Sequence, residues 1–525
     1  MRNYFVSIGF SMLLPALLLA QGNVVGYVFE DGNGNGTKER REAGLEGIAV
    51  SNGREVVLTD KKGRYELPIG NDDIVFVIKP SDYRVPLNTD NQPQYYYIHK
   101  PHGSPPSQYK GVVPTGPLPK SVDFALVSQQ ENDEFRMFVM GDPQFLDERE
   151  FGYFEQGIVS EIIGSTDAVM GITLGDIVQN NLDMHRDYIR LMGKVGIPWY
   201  NVIGNHDLNM DAPADSLNDE TFEANFGPST YSFNYGKAHF IVLNNNLYPD
   251  PRKGKGLWAG YSQKELKFVE NDLRYVDKDQ LIVVVNHIQM NIVNENSFRK
   301  SDRQQLFELF RGYDNVLALS AHTHNHQQFF YGKEDGWPNE TPLHEFNVGA
   351  TCGNWYSGRV NEEGIIRSVM SDGTPPGYVY LNISGNQYTT DYKVAGMPAD
   401  YQIGLYHRKV LSTIWWDSRG QVYANFFMGH KGSKVECSIN DGAWRPMKYI
   451  KEPDPAYVSE LYKWDDAEEL AKGRRPTGPA NCTHLWSIGF PRNLGTGTHQ
   501  IVVRATDMYG REYIQKSAYR IEEPK

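Results

Sequence analysis

The chain has 525 residues, of which 40% are hydrophobic and 22% are charged, and its formal net charge is −13. This length suits about three domains, and the apolar content is enough for sizeable cores, which excludes an intrinsically disordered chain. The acidic excess argues against binding to long nucleic acids or anionic membranes.

The first twenty residues have the layout of a secretory signal peptide. A short basic start precedes the apolar stretch YFVSIGFSMLLPALLLA, and polar sequence follows from Gln21. The stretch is short for a membrane span and contains Pro15. We therefore predict cleavage near Ala20 and export to the periplasm or the cell exterior, with a membrane anchor as the alternative. No later segment is apolar enough to cross a bilayer, so we expect no transmembrane segment in the mature chain.

Residues 21–128 are predicted to form an N-terminal β-module with a linker. Short apolar runs such as GYVFED and EVVLTDKKGRYELPI lie between Gly, Asn and Asp turns, which is typical of strands. Residues 81–128 are rich in Pro, Tyr, Ser and Gly and have little periodicity. We interpret them as the end of the module and a long linker that wraps the next domain.

The stretch DGNGNGTKERRE at 31–42 fits the spacing of a calcium-binding loop. Gly36 would make the sharp turn. The oxygen ligands would come from Asp31, Asn33, Asn35, Thr37 and Glu42. No helices are predicted beside the loop and basic residues lie within it, so we predict a weak Ca²⁺ site in a β-module. A plain hairpin loop is the alternative.

Residues 129–394 alternate between apolar strands and helix-like stretches, which predicts an α/β layered domain. Five of the strands run directly into polar motifs, which are MGDPQF, LGDIVQNN, IGNHDLN, VVVNH and SAHTHNHQ. Sheets of this kind place their sites at the carboxyl ends of the strands. We therefore expect the side chains of these motifs to meet.

Seven side chains in these motifs are candidate ligands for hard metal ions. They are Asp142, Gln144, Asp176, Asn205, His287, His322 and His324. Carboxylate, amide and imidazole groups together favour Mn, Mg, Fe or Zn over soft metals. One such residue at a strand end is usually a turn or capping residue, but five motifs in order predict a metal site.

These motifs resemble those of the calcineurin-like metallophosphoesterases, whose pattern is D-x-H, G-D, G-N-H-[DE], a lone His and G-H-x-H. The resemblance covers about residues 135–393. It implies a four-layer αββα metallophosphoesterase core flanked by two all-β modules, as in an exported three-domain subfamily. It also implies two metal sites that share Asp176. One site would hold its ion with Asp142, Gln144, Asp176 and His324, and the other with Asp176, Asn205, His287 and His322.

The resemblance also implies a mechanism. A hydroxide that bridges the two metal ions would attack phosphorus, because two divalent ions stabilise both the attacking and the leaving oxygen. His206 would assist the leaving group as a general acid, and Asp207 would orient His206. A buried structural histidine is the alternative for His206.

The sequence departs from the family pattern at two positions. Ala321 replaces the first glycine of G-H-x-H, and Gln144 replaces the usual histidine of D-x-H. An amide oxygen binds metal ions more weakly than imidazole and prefers harder ions. We therefore predict a working site with two divalent metal ions as cofactors, one of them held less tightly. Mn²⁺ or Mg²⁺ is favoured over Fe or Zn.

Three residues near the end of the core are candidate substrate contacts by the same resemblance. They are Trp355, Tyr356 and Arg359, and packing or turn roles are the alternative. His326 extends the HTHNH run, and we expect it at the rim of the site rather than as a ligand. His185 is expected to be a solvated loop residue.

Residues 395–525 return to short alternating runs, which predict a C-terminal β-sandwich-like module. Cys437 and Cys482 lie in this module, and the sequence leaves open whether they form a disulfide.

The sequence as a whole predicts an exported, dinuclear metal-dependent phosphoester hydrolase that acts on a small substrate. Monoesters, diesters and diphosphates all stay open as substrates, and so does the oligomeric state. The alternative is a binding or adhesion protein built on a catalytically relic metallophosphoesterase domain. A protein phosphatase similar to calcineurin itself is a weaker third hypothesis, because a signalling role in the cytosol disagrees with export.

Overall fold

A computed structural model of the protein describes residues 22–414 and 420–524. The predicted signal peptide, residues 1–20, lies outside the described residues. No helix within these two ranges is long and apolar enough to cross a membrane.

The N-terminal region consists of eight strands in two four-stranded sheets. The strands are β1 Gly22–Glu30, β2 Ala49–Ser51, β3 Val56–Leu58, β4 Arg64–Ile69, β5 Asp73–Val77, β6 Tyr83–Arg84, β7 Tyr96–His99 and β8 Phe124–Ser128. The sheet orders are β4-β1-β8-β6 and β3-β2-β5-β7. Alternate residues of β1 and β4 are buried, as expected for strands with one face in a core.

The segment between β7 and β8 lies along the core, which agrees with the predicted wrapping linker. The Ser107 hydroxyl donates to Asp211 Oδ1 at 2.7 Å, and the Gln108 N–H donates to Asp211 Oδ2 at 2.7 Å. The Tyr109 hydroxyl donates to the carbonyl of Asn180 at 2.8 Å. The linker therefore reaches the loops that follow the GD and GNHD motifs.

The core contains fourteen strands and five α-helices among the described residues. The strands are β9 Glu134–Met140, β10 Met170–Thr173, β11 Trp199–Asn201, β12 Tyr231–Tyr235, β13 Ala238–Val242, β14 Asn246–Leu247, β15 Trp258–Ala259, β16 Leu281–Val285, β17 Val316–Ser320, β18 His326–Tyr331, β19 Leu343–Val348, β20 Gly358–Arg359, β21 Gly377–Ser384 and β22 Gln387–Val394. The helices are α1 Glu148–Gly157, α2 His185–Gly193, α3 Glu220–Phe226, α4 Gln263–Asp272 and α5 Lys300–Leu309.

Two sheets form the inner layers of the core, in the orders β11-β10-β9-β21-β22 and β12-β13-β16-β17-β19-β18. Phe138 and Met140 of β9 pack with α1 and α2 in one apolar cluster. The alternate residues Met137 and Val139 belong to the cluster that contains the second sheet and helices α4 and α5. This alternation produces the layers helix, sheet, sheet, helix, and it confirms the predicted αββα core with strand-rich regions on either side.

The C-terminal region holds ten strands and one helix among the described residues. The strands are β23 Ile403–Tyr406, β24 Val410–Ser412, β25 Gln421–Phe426, β26 Lys434–Ile439, β27 Arg445–Pro446, β28 Lys448–Ile450, β29 Gly473–Arg474, β30 Leu485–Gly489, β31 Gly497–Thr506 and β32 Glu512–Glu522, and the helix is α6 Pro455–Asp465. Two sheets form, β23-β25-β30-β28 and β24-β32-β31-β26-β27, and β29 pairs instead with β20 of the core. Cys437 and Cys482 are both buried free thiols, so no disulfide joins them.

Candidate metal centre

The predicted metal ligands follow strands that run parallel in the two inner sheets. β9 and β10 are parallel neighbours, and they end just before Asp142 and Asp176. β16 and β17 are parallel neighbours in the second sheet, and they end before His287 and His322. The carboxyl ends of all four strands therefore meet at one edge of the sandwich.

The buried carboxylate of Asp176 lies at the centre of the cluster. Its Oδ1 accepts the backbone N–H of His206 at 2.8 Å. Its Oδ2 lies 3.2 Å from His287 Nε2 and 3.1 Å from Gln144 Nε2. Both halves of the predicted site thus contact this one carboxylate.

His287 and His322 face Asp176 from the second sheet. His287 Nδ1 donates to the carbonyl of Leu174 at 2.7 Å, which points Nε2 into the cluster. Nε2 lies 3.1 Å from Asn205 Oδ1 and 3.3 Å from His322 Nδ1. Ligand atoms of Asp176, His287 and His322 all lie within 4.8 Å of one another, which is a spacing that one metal ion can span.

The other half of the cluster contains Asp142, Gln144 and His324. Asp142 Oδ2 accepts the backbone N–H of His322 at 3.0 Å. His324 Nδ1 donates to the Gly353 carbonyl at 2.8 Å, and its Nε2 lies 3.7 Å from Asp142 Oδ1. Gln144 is fixed by its own backbone N–H, which donates to the Asp176 carbonyl at 2.9 Å. The structure therefore brings all seven predicted ligands together.

The backbone at these positions is unusual. Positive φ angles occur at Asp142 (43°), Gln144 (38°), Asp176 (49°), His322 (72°) and His324 (51°). Non-glycine residues rarely adopt this conformation, and those that do concentrate at functional sites, where the surrounding fold holds them in place. The strand ends therefore turn sharply, which directs these side chains toward one another.

Burial and charge act together on the ionisable groups of the cluster. Burial by itself raises the pKa of the Asp176 carboxyl, but the adjacent His287 ring lowers it below its usual range. Burial lowers the pKa of His287, and the carboxylates of Asp176 and Asp142 overcome this effect and raise it to about 9. Burial next to His287 lowers the pKa of His322 to about 3. Burial raises the pKa of the Asp142 carboxyl well above its usual range, so the charged His287 ring pairs mainly with the Asp176 carboxylate.

The residues present fit hard divalent metal ions. Asp142 Oδ1 is buried and has no hydrogen-bond partner, which is uncommon for a carboxylate oxygen and leaves it available to a cation. The donor set of two carboxylates, two amides and three imidazoles matches the preference of Mn, Mg, Fe or Zn.

The surroundings of His206 correct one prediction. The Asp207 side chain turns inward from its short 3-10 turn and accepts the backbone N–H groups of Ile177 at 3.1 Å and Gly204 at 2.9 Å. It therefore does not orient the His206 ring. Instead, His206 Nδ1 donates to Asn180 Oδ1 at 2.8 Å. Asp207 holds the GD and GNHD loops together, and Asn180 orients the histidine.

Two further histidines were predicted wrongly. His185, expected in solvent, is fully buried at the start of α2, and its Nε2 donates to Asp207 Oδ1 at 3.1 Å. His326, expected at the rim, is also fully buried, and its ring packs against Phe346 and Tyr392. Both are buried because α2 and β18 pack into the core.

The three candidate substrate residues have different environments. The Trp355 ring stacks on His324 at a centroid distance of 4.3 Å, so it lies beside the metal cluster. Tyr356 is buried, and its hydroxyl donates to the Pro143 carbonyl, which makes it a packing residue. Arg359 faces the C-terminal region, where its Nε lies 3.3 Å from Glu460 Oε1.

The sequence reasoning missed Asn180 and Arg474. Arg474 lies in β29, which pairs with β20, and its Nη1 donates to the Trp355 carbonyl at 3.4 Å. The C-terminal region therefore supports the loop that carries Trp355. The sequence contains no signal for this contact, because the two partners are more than a hundred residues apart. The GDIVQNN motif did offer Asn180, whose side chain lies four positions after Asp176.

The candidate calcium loop is closed by its own side chains. Asp31 Oδ1 accepts the backbone N–H of Gly34 at 2.7 Å, and Oδ2 accepts that of Gly36 at 2.8 Å. Asn35 Oδ1 accepts the N–H of Thr37 at 2.8 Å. Gly36 has a φ of 71°, as a sharp turn requires. Calcium binding by this loop stays a prediction.

Comparison with known proteins gave three family matches. The N-terminal region of calcineurin-like phosphoesterase matches residues 32–110, the calcineurin-like phosphoesterase domain matches 135–326, and the C-terminal region of calcineurin-like phosphoesterase matches 345–513. A search of curated proteins found no match.

Several solved structures are similar to this chain at low sequence identity. Purple acid phosphatase PPD1 from yellow lupin (Lupinus luteus) seeds is 15% identical over 71% of this chain and 67% of its own, with a TM-score of 0.37. GAP50, the anchor in the inner membrane complex of Plasmodium, is 14% identical over 50% of this chain and 85% of its own, with a TM-score of 0.31. Vps29 from Chaetomium thermophilum is 8% identical over 74% of this chain and 98% of its own, with a TM-score of 0.22.

Proposed function

The chain belongs to the calcineurin-like phosphoesterase family, and from this premise we propose that it hydrolyses phosphoesters with two divalent metal ions. The observation that carries the proposal is the clustering of the seven candidate ligand side chains, with the buried Asp176 carboxylate at their centre. Asp142, Gln144 and His324 would hold one ion, and Asn205, His287 and His322 the other, with Asp176 shared.

Bound metal ions would supply Lewis-acid stabilisation of the phosphoryl oxygens and an activated water molecule. The chain's own residues supply the positioning. Asp176 is fixed by the His206 N–H, and His287 is fixed by the Leu174 carbonyl, so neither side chain must reorganise during the reaction. Asp142 and His287 are fully buried, which limits access of bulk water to the inner part of the site.

His206 is the proposed leaving-group donor. Its ring is partly exposed, while the neighbouring Asp207 is fully buried. Because Nδ1 donates to Asn180 Oδ1, Nε2 is the nitrogen left to face a substrate. Transfer of a proton from Nε2 requires the charged imidazolium, and Asn180 accepts the Nδ1 proton in that form. Asn180 is therefore the positioning residue for the proposed acid.

The proposal includes a small substrate, export and a three-part organisation. A buried, closely packed centre suits a small phosphoester better than a long polymer. The signal-like sequence of residues 1–20 is the support for export. Boundaries near 128 and 394 are supported by the ends of β8 at Ser128 and of β22 at Val394.

The test is steady-state hydrolysis of para-nitrophenyl phosphate and bis-para-nitrophenyl phosphate with added Mn²⁺. We expect the full chain to hydrolyse at least one ester and Asp176→Asn to lose this activity. Asp183→Asn is the matched control, since Asp183 is exposed near the same loop. The preferred ester separates a monoesterase from a diesterase. Absence of turnover in a protein that binds both metal ions would favour the relic binding protein instead.

A further inference from the structure

A short basic loop emerges at the sheet edge that carries the metal-ligand motifs, in an otherwise acidic protein. Residues 250–256 read DPRKGKG and connect β14 to β15, and we name them the basic loop. β13, which leads into β14, is parallel to β16, and β16 runs into His287. The basic loop therefore emerges beside a metal-ligand motif, at the same edge of the same sheet.

Hydrogen bonds ahead of the loop and within it fix its position. Before the loop, Asn246 Nδ2 donates to the carbonyl of Ile203 at 3.1 Å, two residues ahead of Asn205. The Tyr248 hydroxyl donates to the carbonyl of Met210, shortly after the GNHD motif. Within the loop, Arg252 Nη1 donates to Asn296 Oδ1 at 3.2 Å, in the segment that follows His287. The residues ahead of the basic loop thus contact the segment around the GNHD motif, and the loop itself contacts the segment that follows His287.

The basic loop contains three basic residues, of which one is held by neighbouring side chains and two are exposed. Arg252 stacks over the Trp258 ring at 3.6 Å and forms an ion pair with Asp250 at 2.8 Å, so Asp250 balances its charge. Lys253 and Lys255 are exposed, and neither ammonium has a carboxylate within ion-pair distance among the described residues. Glu295, in the segment that Arg252 contacts, is also exposed.

We propose that the basic loop binds a second, non-scissile phosphate of the substrate. This inference rests on the proposed function, because it assigns another part of the same substrate. Two unpaired ammonium groups attract an anion that already approaches the metal centre, and lysine binds phosphate as a point charge. The substrate class is therefore a small phosphoester that carries two phosphate groups, such as a sugar bisphosphate.

The test compares fructose 1,6-bisphosphate with fructose 6-phosphate as a matched pair. For the Mn²⁺-loaded full chain, we expect Lys253→Ala/Lys255→Ala to lower the ratio of kcat/KM for the bisphosphate over that for the monophosphate about tenfold. Lys61→Ala/Lys62→Ala removes the same charge from an exposed turn of the N-terminal region and should leave the ratio unchanged. An unchanged ratio in the loop variant would overturn the proposal.

A binding measurement keeps the test independent of turnover. Calorimetry on Mn²⁺-loaded His206→Ala protein, which keeps all seven metal ligands, measures the affinity for fructose 1,6-bisphosphate directly. We expect the loop substitutions to weaken this binding about tenfold and the control substitutions to leave it unchanged. Equal binding by the two variants would refute the role of the loop. Binding that depends on the loop in a protein without hydrolytic activity would instead refute the proposed reaction and keep the phosphate site.

Discussion

The contact between Asn180 and His206 allows a sharp test of the proposed leaving-group donor. The Asn180 side chain accepts the Nδ1 proton at 2.8 Å, while its backbone has a φ of 64°. Alanine at this position would add backbone strain, so the informative substitution is Asn180→Gly, which tolerates the positive φ and removes the acceptor.

The expected loss of catalytic rate follows from the partial exposure of this hydrogen bond. A hydrogen bond of ordinary length contributes about 0.5–1.5 kcal/mol net. Because His206 is only partly buried, a value of about 1 kcal/mol is appropriate, which corresponds to about fivefold in rate. The effect should appear in kcat rather than in metal affinity, since neither residue is among the seven predicted ligands.

The assay compares leaving groups. Para-nitrophenolate leaves as a stable anion and needs little proton donation, whereas an alkoxide needs a proton in the transition state. We expect Asn180→Gly to lower kcat about fivefold for an alkyl phosphate and to leave para-nitrophenyl phosphate nearly unaffected. Asn180→Asp keeps an acceptor and should retain activity on both substrates.

The neighbouring Asn181 provides the control. Asn181→Ala changes an adjacent, half-buried amide that has no side-chain hydrogen bond among the described contacts. This variant should match the wild type on both substrates. An equal loss on alkyl and aryl phosphates in Asn180→Gly would refute the reasoning, because it would indicate general damage to the site.

Three further predictions follow from other parts of the molecule. Gln144→His restores an imidazole at the weaker metal position and should tighten Mn²⁺ binding about tenfold in a metal titration; unchanged affinity would show that Gln144 does not contact the metal ion. Lys100 is buried among Asp72, Glu220 and Glu223 at 2.6–2.7 Å, so Lys100→Met should destabilise the fold by about 3–5 kcal/mol in urea unfolding at pH 7. Burial alone lowers the pKa of Lys100, but the carboxylates raise it above its usual range, so Lys100 is fully charged well below pH 10.5 and its contribution is lost as the pH rises through the higher folded-state pKa. The deficit of the variant should shrink as the pH falls below 7, because burial raises the pKa of the Glu223 carboxyl and its protonation removes a charge that Lys100 balances. A deficit independent of pH would contradict this account. Calorimetry should detect Ca²⁺ binding at millimolar concentrations that Asp31→Asn removes, and identical heats for the two proteins would eliminate the calcium loop.

The sequence by itself was sufficient to predict the family and the layered core. Polar motifs that stand directly after apolar strands have little freedom, because parallel strands bring their carboxyl ends to one edge. For that reason the seven ligand candidates, from Asp142 to His324, could be named before the structure was known, and the structure places them in one cluster. The prediction of an αββα core between strand-rich regions was confirmed for the same reason.

Side-chain direction in the loops required the tertiary structure. Asp207 follows His206 directly, which suggested a pair, yet the 3-10 turn points the two side chains apart and brings in Asn180 from another loop. Burial of His185 and His326 depends on the packing of α2 and β18, which local sequence does not report.

Contacts across domains were also decided only by the fold. Arg474 reaches the carbonyl of Trp355 from the C-terminal region. Within the core, Arg252 of the basic loop reaches Asn296 in the segment that follows His287. A strand-end motif consists of a few consecutive residues, so the sequence by itself determines which chemical groups it offers. The partner that a loop side chain finds depends on distant segments and on backbone turns with positive φ, which only the packed structure fixes.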